Sequence, residues 1–320
     1  MPDSPETLVV ALGGNAISRP GEQGTIEEQF DQMRRSARVL CDAIEAGYRL
    51  VVTHGNGPQV GNVLRRVEIA SPQLHPIPLE VCVADTQAGM GYMIAQCLIN
   101  ELHQRGSDRA ITTIVTTVRV DRDDPAFVAP SKPIGPRMSE SDALARQQHD
   151  GWQVRQVEEG YYRRIVPSPH PVEILELSAI RRMIDADELI ICCGGGGIPV
   201  FRDTDGRLQG AAAVIDKDLT SALLASQLGA STLVLLTAVD YVYLNFGTPQ
   251  QRPLRELHVK QAVEHLAEGQ FAAGSMRPKI EAAIEFLAHS QPGQQSALIA
   301  HLDQLPEALA GHGGTRIVRD

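Results

Sequence analysis

Apolar and polar positions along the chain fall into two alternating patterns. Short apolar runs rich in β-branched residues predict strands buried on both faces over Thr7–Leu12, Tyr48–His54, Ala110–Val120, Glu188–Cys193 and Ser231–Thr237. Longer stretches with helical periodicity lie between and after them, over Ile26–Ala46, Pro58–Ala70, Ala84–Gln104, Pro171–Asp185, Asp218–Leu228 and Pro278–His289. Strands alternating with helices predict an α/β architecture, a largely parallel sheet covered on both faces. From Arg122 to Pro171 the rhythm breaks. Prolines stand at 125, 130, 133, 136, 167, 169 and 171, with Trp152 and the run Tyr161-Tyr162-Arg163-Arg164 among them. So long a stretch without alternation predicts a small inserted subdomain, with a meandering loop as the plainer alternative.

Composition narrows the function. The chain of 320 residues is 43% hydrophobic and only 4% aromatic, so its core rests on Leu, Ile, Val and Ala. A formal charge of -10 argues against nucleic acid or an anionic membrane as the main partner. Met1–Glu6 is polar and the run from Leu8 to Leu12 is short, so no export signal or membrane span is expected. The cysteines at 41, 82, 97, 192 and 193 form no C-x-x-C pair and read as reduced core thiols of a cytoplasmic protein. The histidines show no zinc spacing, and no metal-ligating residues are assigned.

Three glycine clusters follow predicted strands directly: Gly13-Gly14-Asn15, Gly55-Asn56-Gly57 and Gly194 to Gly197. Ligands of open α/β sheets bind at the carboxyl ends of strands, where bare backbone and helix N-termini make anion sites. Glycines also make tight turns, but four in a row cost roughly 0.5–1 kcal/mol each relative to alanine, and close approach to phosphates would offset that. The sequence lacks G-x-x-x-x-G-K-[ST], and Gly55 to Gly61 is one residue too long for a dinucleotide fingerprint.

Lysine is scarce, standing only at 132, 217, 260 and 279 among 29 basic residues. Lys217 and Lys279 fall at predicted helix starts, where the helix dipole disfavours a cation unless an anion is shared. Lys132 sits in the inserted segment, and Lys260 reads as a solvated helix residue. Asp216 and Asp218 flank Lys217 and could equally be helix caps. Glycine clusters and lysines together point to phosphoryl transfer.

These motifs resemble those of carbamate kinases. The matching segments are ALGGNAI (11–17), THGNGPQVG (53–61), DPAF (124–127), SKPIGP (131–136) and RRIVPSPHP (163–171), followed by GGGGIPV (194–200), AVIDKDL (213–219), LTAVDYVYLNFG (236–247) and FAAGSMRPKIEAAIEF (271–286). The resemblance runs from Val9 to Gly313-Gly314-Thr315. It implies the amino-acid-kinase fold, a three-layer α/β/α sandwich around a mainly parallel eight-stranded sheet, usually in a homodimer. It implies ATP or ADP as co-substrate with Mg²⁺, and carbamate or carbamoyl phosphate as the small-molecule partner. Residues 1–212 would hold carbamate, with 122–171 as a protruding lid, and 213–320 the nucleotide. On the substrate side the resemblance places Gly13, Gly14, Asn15, Gly55, Asn56 and Gly57. It gives Lys217 and Lys279 to the transferred phosphoryl, Asp218 to their orientation, and Lys132 to the lid. Gly194, Gly195, Gly196, Ala238, Asp240, Tyr243 and Met276 would line the nucleotide. Three positions depart from the usual pattern: Arg277 replaces glycine, His170 stands where lysine is common, and Val81–Gly89 differs from the usual segment. Another kinase of the same fold, or a ligand-binding regulator without activity, are the competing readings.

Overall fold

The computed structural model describes residues 5–14, 17, 24–71, 73–290 and 295–320. Its centre is an eight-stranded sheet, numbered here in chain order: β1 (Thr7–Leu12), β2 (Arg49–His54), β3 (Ile111–Thr113), β4 (Leu189–Ile191), β5 (Thr232–Thr237), β6 (Glu256–His258), β7 (Ser296–His301) and β8 (Thr315–Val318). The strands lie in the order β6-β8-β7-β5-β1-β2-β4-β3. From β7 to β3 all neighbours are parallel, while β8 runs antiparallel to β7 and parallel to β6.

Alternation along β1 explains the layering. Leu8, Val10 and Leu12 point into one core with α1 (Ile26–Glu45), α3 (Leu79–Gln104) and α9 (Leu305–Leu309), through Met33, Leu40, Met90, Leu98 and Leu305. Val9 and Ala11 point into the opposite core, with α5 (Leu177–Asp185), α6 (Lys217–Leu228), α7 (Val259–Ala267) and α8 (Met276–His289), through Ile180, Leu224, Ala262, Ile280 and Phe286. Both faces are therefore apolar, which is why the strands read as continuous runs. The boundary expected near residue 212 falls within one continuous sheet, since β1 and β5 pair directly, Leu8 with Thr232.

Two expected elements are corrected. The run 110–120 is not one strand: β3 ends at Thr113, and Thr117–Val120 belongs to a second, four-stranded sheet. At the exit the Gln87 side chain satisfies the freed backbone, giving its Nε2 hydrogen to the Thr116 carbonyl and accepting from the Thr116 amide, both at 2.9 Å. Pro171–Asp185 is not one helix either. Pro171–Ile174 is a strand antiparallel to Thr117–Val120, and only α5 is helical.

The inserted segment has its own fold, a three-stranded antiparallel sheet of Lys132–Met138, Val154–Glu158 and Tyr161–Val166 with the helix α4 (Glu140–Asp150). Its base is not free. Ile134 and Val166 pack with Val60 of α2 (Gly57–Ala70), with Leu79, Cys82 and Val83 of α3, and with Val214. All five cysteines are free and buried, in keeping with core thiols.

Candidate functional site

Strands β1, β2, β5 and β7 end at one edge, and there a cavity of about 770 Å³ opens. Gly13, Gly14, Gly55, Asn56, Gly57, Lys132, Gly195, Lys217, Asp218, Ala238 and Lys279 all line it. Asn15 lies outside the described residues.

Charge dominates the floor. Lys217, Asp218 and Lys279 are 9%, 5% and 7% exposed, so each needs a partner close by. Lys217 Nζ donates to Asp218 Oδ1, and Lys279 Nζ donates to Asp218 Oδ2 at 2.9 Å. One carboxylate thus serves two ammonium groups. Burial pushes the Asp218 carboxyl up, but the two lysines outweigh it and hold it well below the usual range. Burial pulls Lys217 down to about 8, with the Lys279 charge adding to the fall and Asp218 opposing it. Asp216 caps α6 by accepting from the Asp218 amide at 2.8 Å, and it also receives Lys132 Nζ. Lys132 holds Asp216 in its ionised form against burial. Of the two aspartates Asp216 is the cap, and Asp218 is free to hold the lysines. Three ammonium groups against two carboxylates leave one positive charge in excess on this floor.

Glycine serves two different ends here. At Gly14, Gly57 and Gly274 nothing stands within 4 Å of where a Cβ would be, so bare backbone faces the open cavity. At Gly55 the Lys217 stem lies across the backbone, its Cδ 3.3 Å from a Cβ position. The run after β4 has an internal reason instead. A Cβ on Gly194 would stand 2.4 Å from His54 Nε2, one on Gly195 2.2 Å from Asn56 Nδ2, and one on Gly196 2.6 Å from the Ile215 carbonyl. Gly195 and Gly196 also need φ of 65° and 89°. These neighbours are reason enough for glycine at the three positions; Gly195 lines the cavity, whereas Gly194 and Gly196 stand outside it. His54 is buried and stays neutral, lowered to about 4 by burial and by the Lys217 charge, and its Nδ1 donates to the Gly55 carbonyl at 3.1 Å.

Other expected positions are set back. Asp240, Tyr243 and Met276 are not part of the lining. Tyr243 meets Tyr241 edge to face and Phe246 at a tilt, at 6.3 and 5.9 Å between ring centroids. Arg277 turns along α8 to Glu281 at 2.8 Å instead of reaching the cavity. His170 binds Glu285 of α8 at 3.0 Å, which raises its pKa against partial burial.

The opposite wall was not anticipated. Arg35 of α1 and Asp303 beyond β7 form an ion pair with two contacts, one of them Nε to Oδ1 at 2.8 Å, and both line the cavity beside Gln32 and His301. The apolar run Ala297–Ala300 was the available signal, because identifying β7 would have placed its end at this edge.

Comparison with known proteins gives a consistent picture. Residues 6–301 match the sequence model of the amino acid kinase family. A carbamate kinase of Pyrococcus horikoshii is 42% identical over 316 residues, 98% of this chain and 99% of that protein. One from Staphylococcus epidermidis is 43% identical over 314 residues, again 98% and 99%. The solved structure of carbamate kinase from Giardia lamblia bound to AMP-PNP superposes with a TM-score of 0.90 at 37% identity, covering 99% of each chain. Family model, sequence identity and overall likeness agree, and the chain belongs to the amino acid kinase family and, within it, to the carbamate kinases.

Proposed function

We propose that this chain moves a phosphoryl group between ATP and carbamate, forming ADP and carbamoyl phosphate, and that it serves mainly to make ATP in the reverse direction. The observation that carries this reading is the buried pair Lys217 and Lys279 on one carboxylate, at the meeting point of the strand ends.

A carbamate oxygen is already anionic and attacks the γ-phosphorus without a general base, while the bond to the β–γ bridging oxygen breaks and its electrons leave with ADP. Catalysis then rests on positioning and on charge stabilisation. Lys217 and Lys279 supply two ammonium groups to the equatorial oxygens, and Asp218 keeps them 2.9 Å or closer without taking a proton. Lys132 adds a third positive charge from the lid. Gly14 and Gly57 leave room for the substrate to meet backbone amides, with Asn56 fixed beside them by its bond to Thr86 at 2.9 Å. Residues 1–212 would hold the carbamate side and 213–320 the nucleotide, with Ala238 in the lining and Asp240, Tyr243 and Met276, which lie outside it, as further nucleotide positions. Gly195 would approach the ligand, and Gly194 and Gly196 support it from behind.

Mg²⁺ fits here as the companion of the nucleotide phosphates, whose charge it would offset. Among the described residues no cluster of three His, Cys, Asp or Glu could hold a metal, and Asp216, Asp218 and Asp303 are each taken by a cation. The exposed apolar side chains Val81, Tyr92 and Ile99 on α3 support a homodimer, and buried free thiols support a cytoplasmic setting. Among the described residues no helix is long and apolar enough to cross a membrane.

The test is ATP formation from ADP and carbamoyl phosphate in a coupled assay, run beside acetyl phosphate and acetylglutamyl phosphate. Selective turnover of carbamoyl phosphate is expected. Nucleotide binding without turnover of any acyl phosphate would refute the reading.

A further inference from the structure

Gly61, Leu64, Arg65 and Glu68 share one side of α2, and that side faces the lid. At Gly61 the contact is backbone on backbone: a Cβ there would stand 1.9 Å from Gly135 Cα and 2.0 Å from Gly135 N. Gly135 lies on the lid strand Lys132–Met138 with a φ of 72°, a conformation that suits glycine. Two turns further along α2, Glu68 accepts from Arg164 Nη1 at 3.1 Å. Arg164 in turn lies 4.6 Å from the Trp152 ring centroid, which Arg146 also approaches. Between these contacts the lid and α2 enclose a cleft of about 250 Å³.

Where two glycines touch, no side chain can change rotamer to absorb a displacement. A shift of either backbone passes directly to the other. Ile134, beside Gly135, is 1% exposed in the cluster with Val60, so the strand cannot slide either. Lys132 is on the same strand and reaches Asp216 at the floor. At its other end α2 begins at Gly57, in the cavity lining.

We propose that Gly61 and Gly135, backed by the Glu68–Arg164 pair, are positioning residues that set the height of Lys132 above the cavity. The inference rests on the assignment of Lys132 to the reacting phosphoryl. One helix then carries both the substrate floor and the seat of the lid, so substrate contacts at Gly57 and lid contacts at Gly61 are rigidly linked.

The experiment is a mutant cycle on the full chain, pairing Gly61→Ala with Lys132→Ala. Gly61→Ala is expected to lower kcat by roughly 10²-fold, the scale of a misplacement of about 1 Å. ADP affinity by calorimetry should stay within about twofold, because the added methyl touches only the lid. In the Lys132→Ala background the Gly61→Ala change should have almost no further effect. Trp152, the single tryptophan of the chain, reports the docking directly, and its emission should shift in Gly61→Ala. Equal losses in both backgrounds, or wild-type turnover in Gly61→Ala, would overturn the proposal. Wild-type turnover in Lys132→Ala would instead overturn the role of Lys132. If Gly61→Ala does not fold, Glu68→Gln enters the same cycle without adding bulk, and the same outcomes decide.

Discussion

Lys217 offers a test of the charge excess on the cavity floor. Its ammonium has a pKa of about 8 in the empty protein, against roughly 10.4 for a lysine in an unfolded chain. An incoming polyphosphate favours the charged form, so binding must raise the pKa and draw in a proton wherever the empty site has lost one. At pH 8.5 about three quarters of the empty sites would carry neutral Lys217, so binding should take up roughly 0.75 proton. The γ-phosphate of ATP is already ionised at that pH and contributes little of its own. Calorimetric titration of ATP in two buffers with different ionisation heats measures this number. The contribution of Lys217 to affinity should be constant below pH 7 and fall about tenfold per unit well above pH 8. The stability of the empty protein has the opposite sign. The unfolded chain binds more protons between pH 8 and about 10.4, so the contribution of Lys217 rises with pH across that window, by about 3 kcal/mol at most. No proton uptake, or the same uptake in Lys217→Met, would refute the reasoning.

Lys279→Met should lower turnover by roughly 10²–10³ without lowering Tm, because Asp218 keeps Lys217 as its partner; a marked fall in Tm would mean that Lys279 is structural. Asp218→Asn should destabilise by about 3–5 kcal/mol in urea unfolding, since two buried ammonium groups would face each other without a counter-charge. Gly14→Ala should reduce turnover with Tm unchanged, whereas Gly194→Ala should cost about 1–3 kcal/mol of stability by pressing on His54; the reverse pattern would exchange their roles. Excising residues 131–166 should lower Tm strongly, because it removes Ile134 and Val166 from an apolar cluster that α2 and α3 share.

That last expectation departs from the picture of a lid standing off the sheet, and it shows where sequence reading stops. Prolines and broken periodicity drew attention to the insertion, but its attachment depends on contacts such as Ile134 with Val60, which no local pattern displays. Strands β1, β2, β4 and β5 were legible because both faces are buried, leaving unbroken apolar runs. Pro171–Ile174 was read as helix because its buried positions, Pro171 and Ile174, are three apart as on a helix, and its partner strand lies some fifty residues earlier. At the site, Lys217 and Lys279 stood out through the scarcity of lysine. The Arg35–Asp303 pair did not, because arginines and aspartates are common and these two meet only through the fold. The glycine run stood out in the sequence, but the groups crowding it, His54, Asn56 and Ile215, come from distant segments and could not be read from it.

The strand order also bears on how the protein is made. β1 leaves the ribosome before the other strands of the sheet, yet it takes a central place between β2 and β5. Pairing with β2 becomes possible early, but the other edge of β1 stays open until Thr232–Thr237 has been synthesised. For most of translation the nascent chain therefore exposes Val9 and Ala11 beside a row of unpaired amides and carbonyls, a template for wrong partners. A nascent chain stalled near residue 212 would hold that open edge permanently. Its fate would be capture by a chaperone or aggregation, and a separately supplied 213–320 fragment would have to insert a strand into the middle of an existing sheet to rescue it.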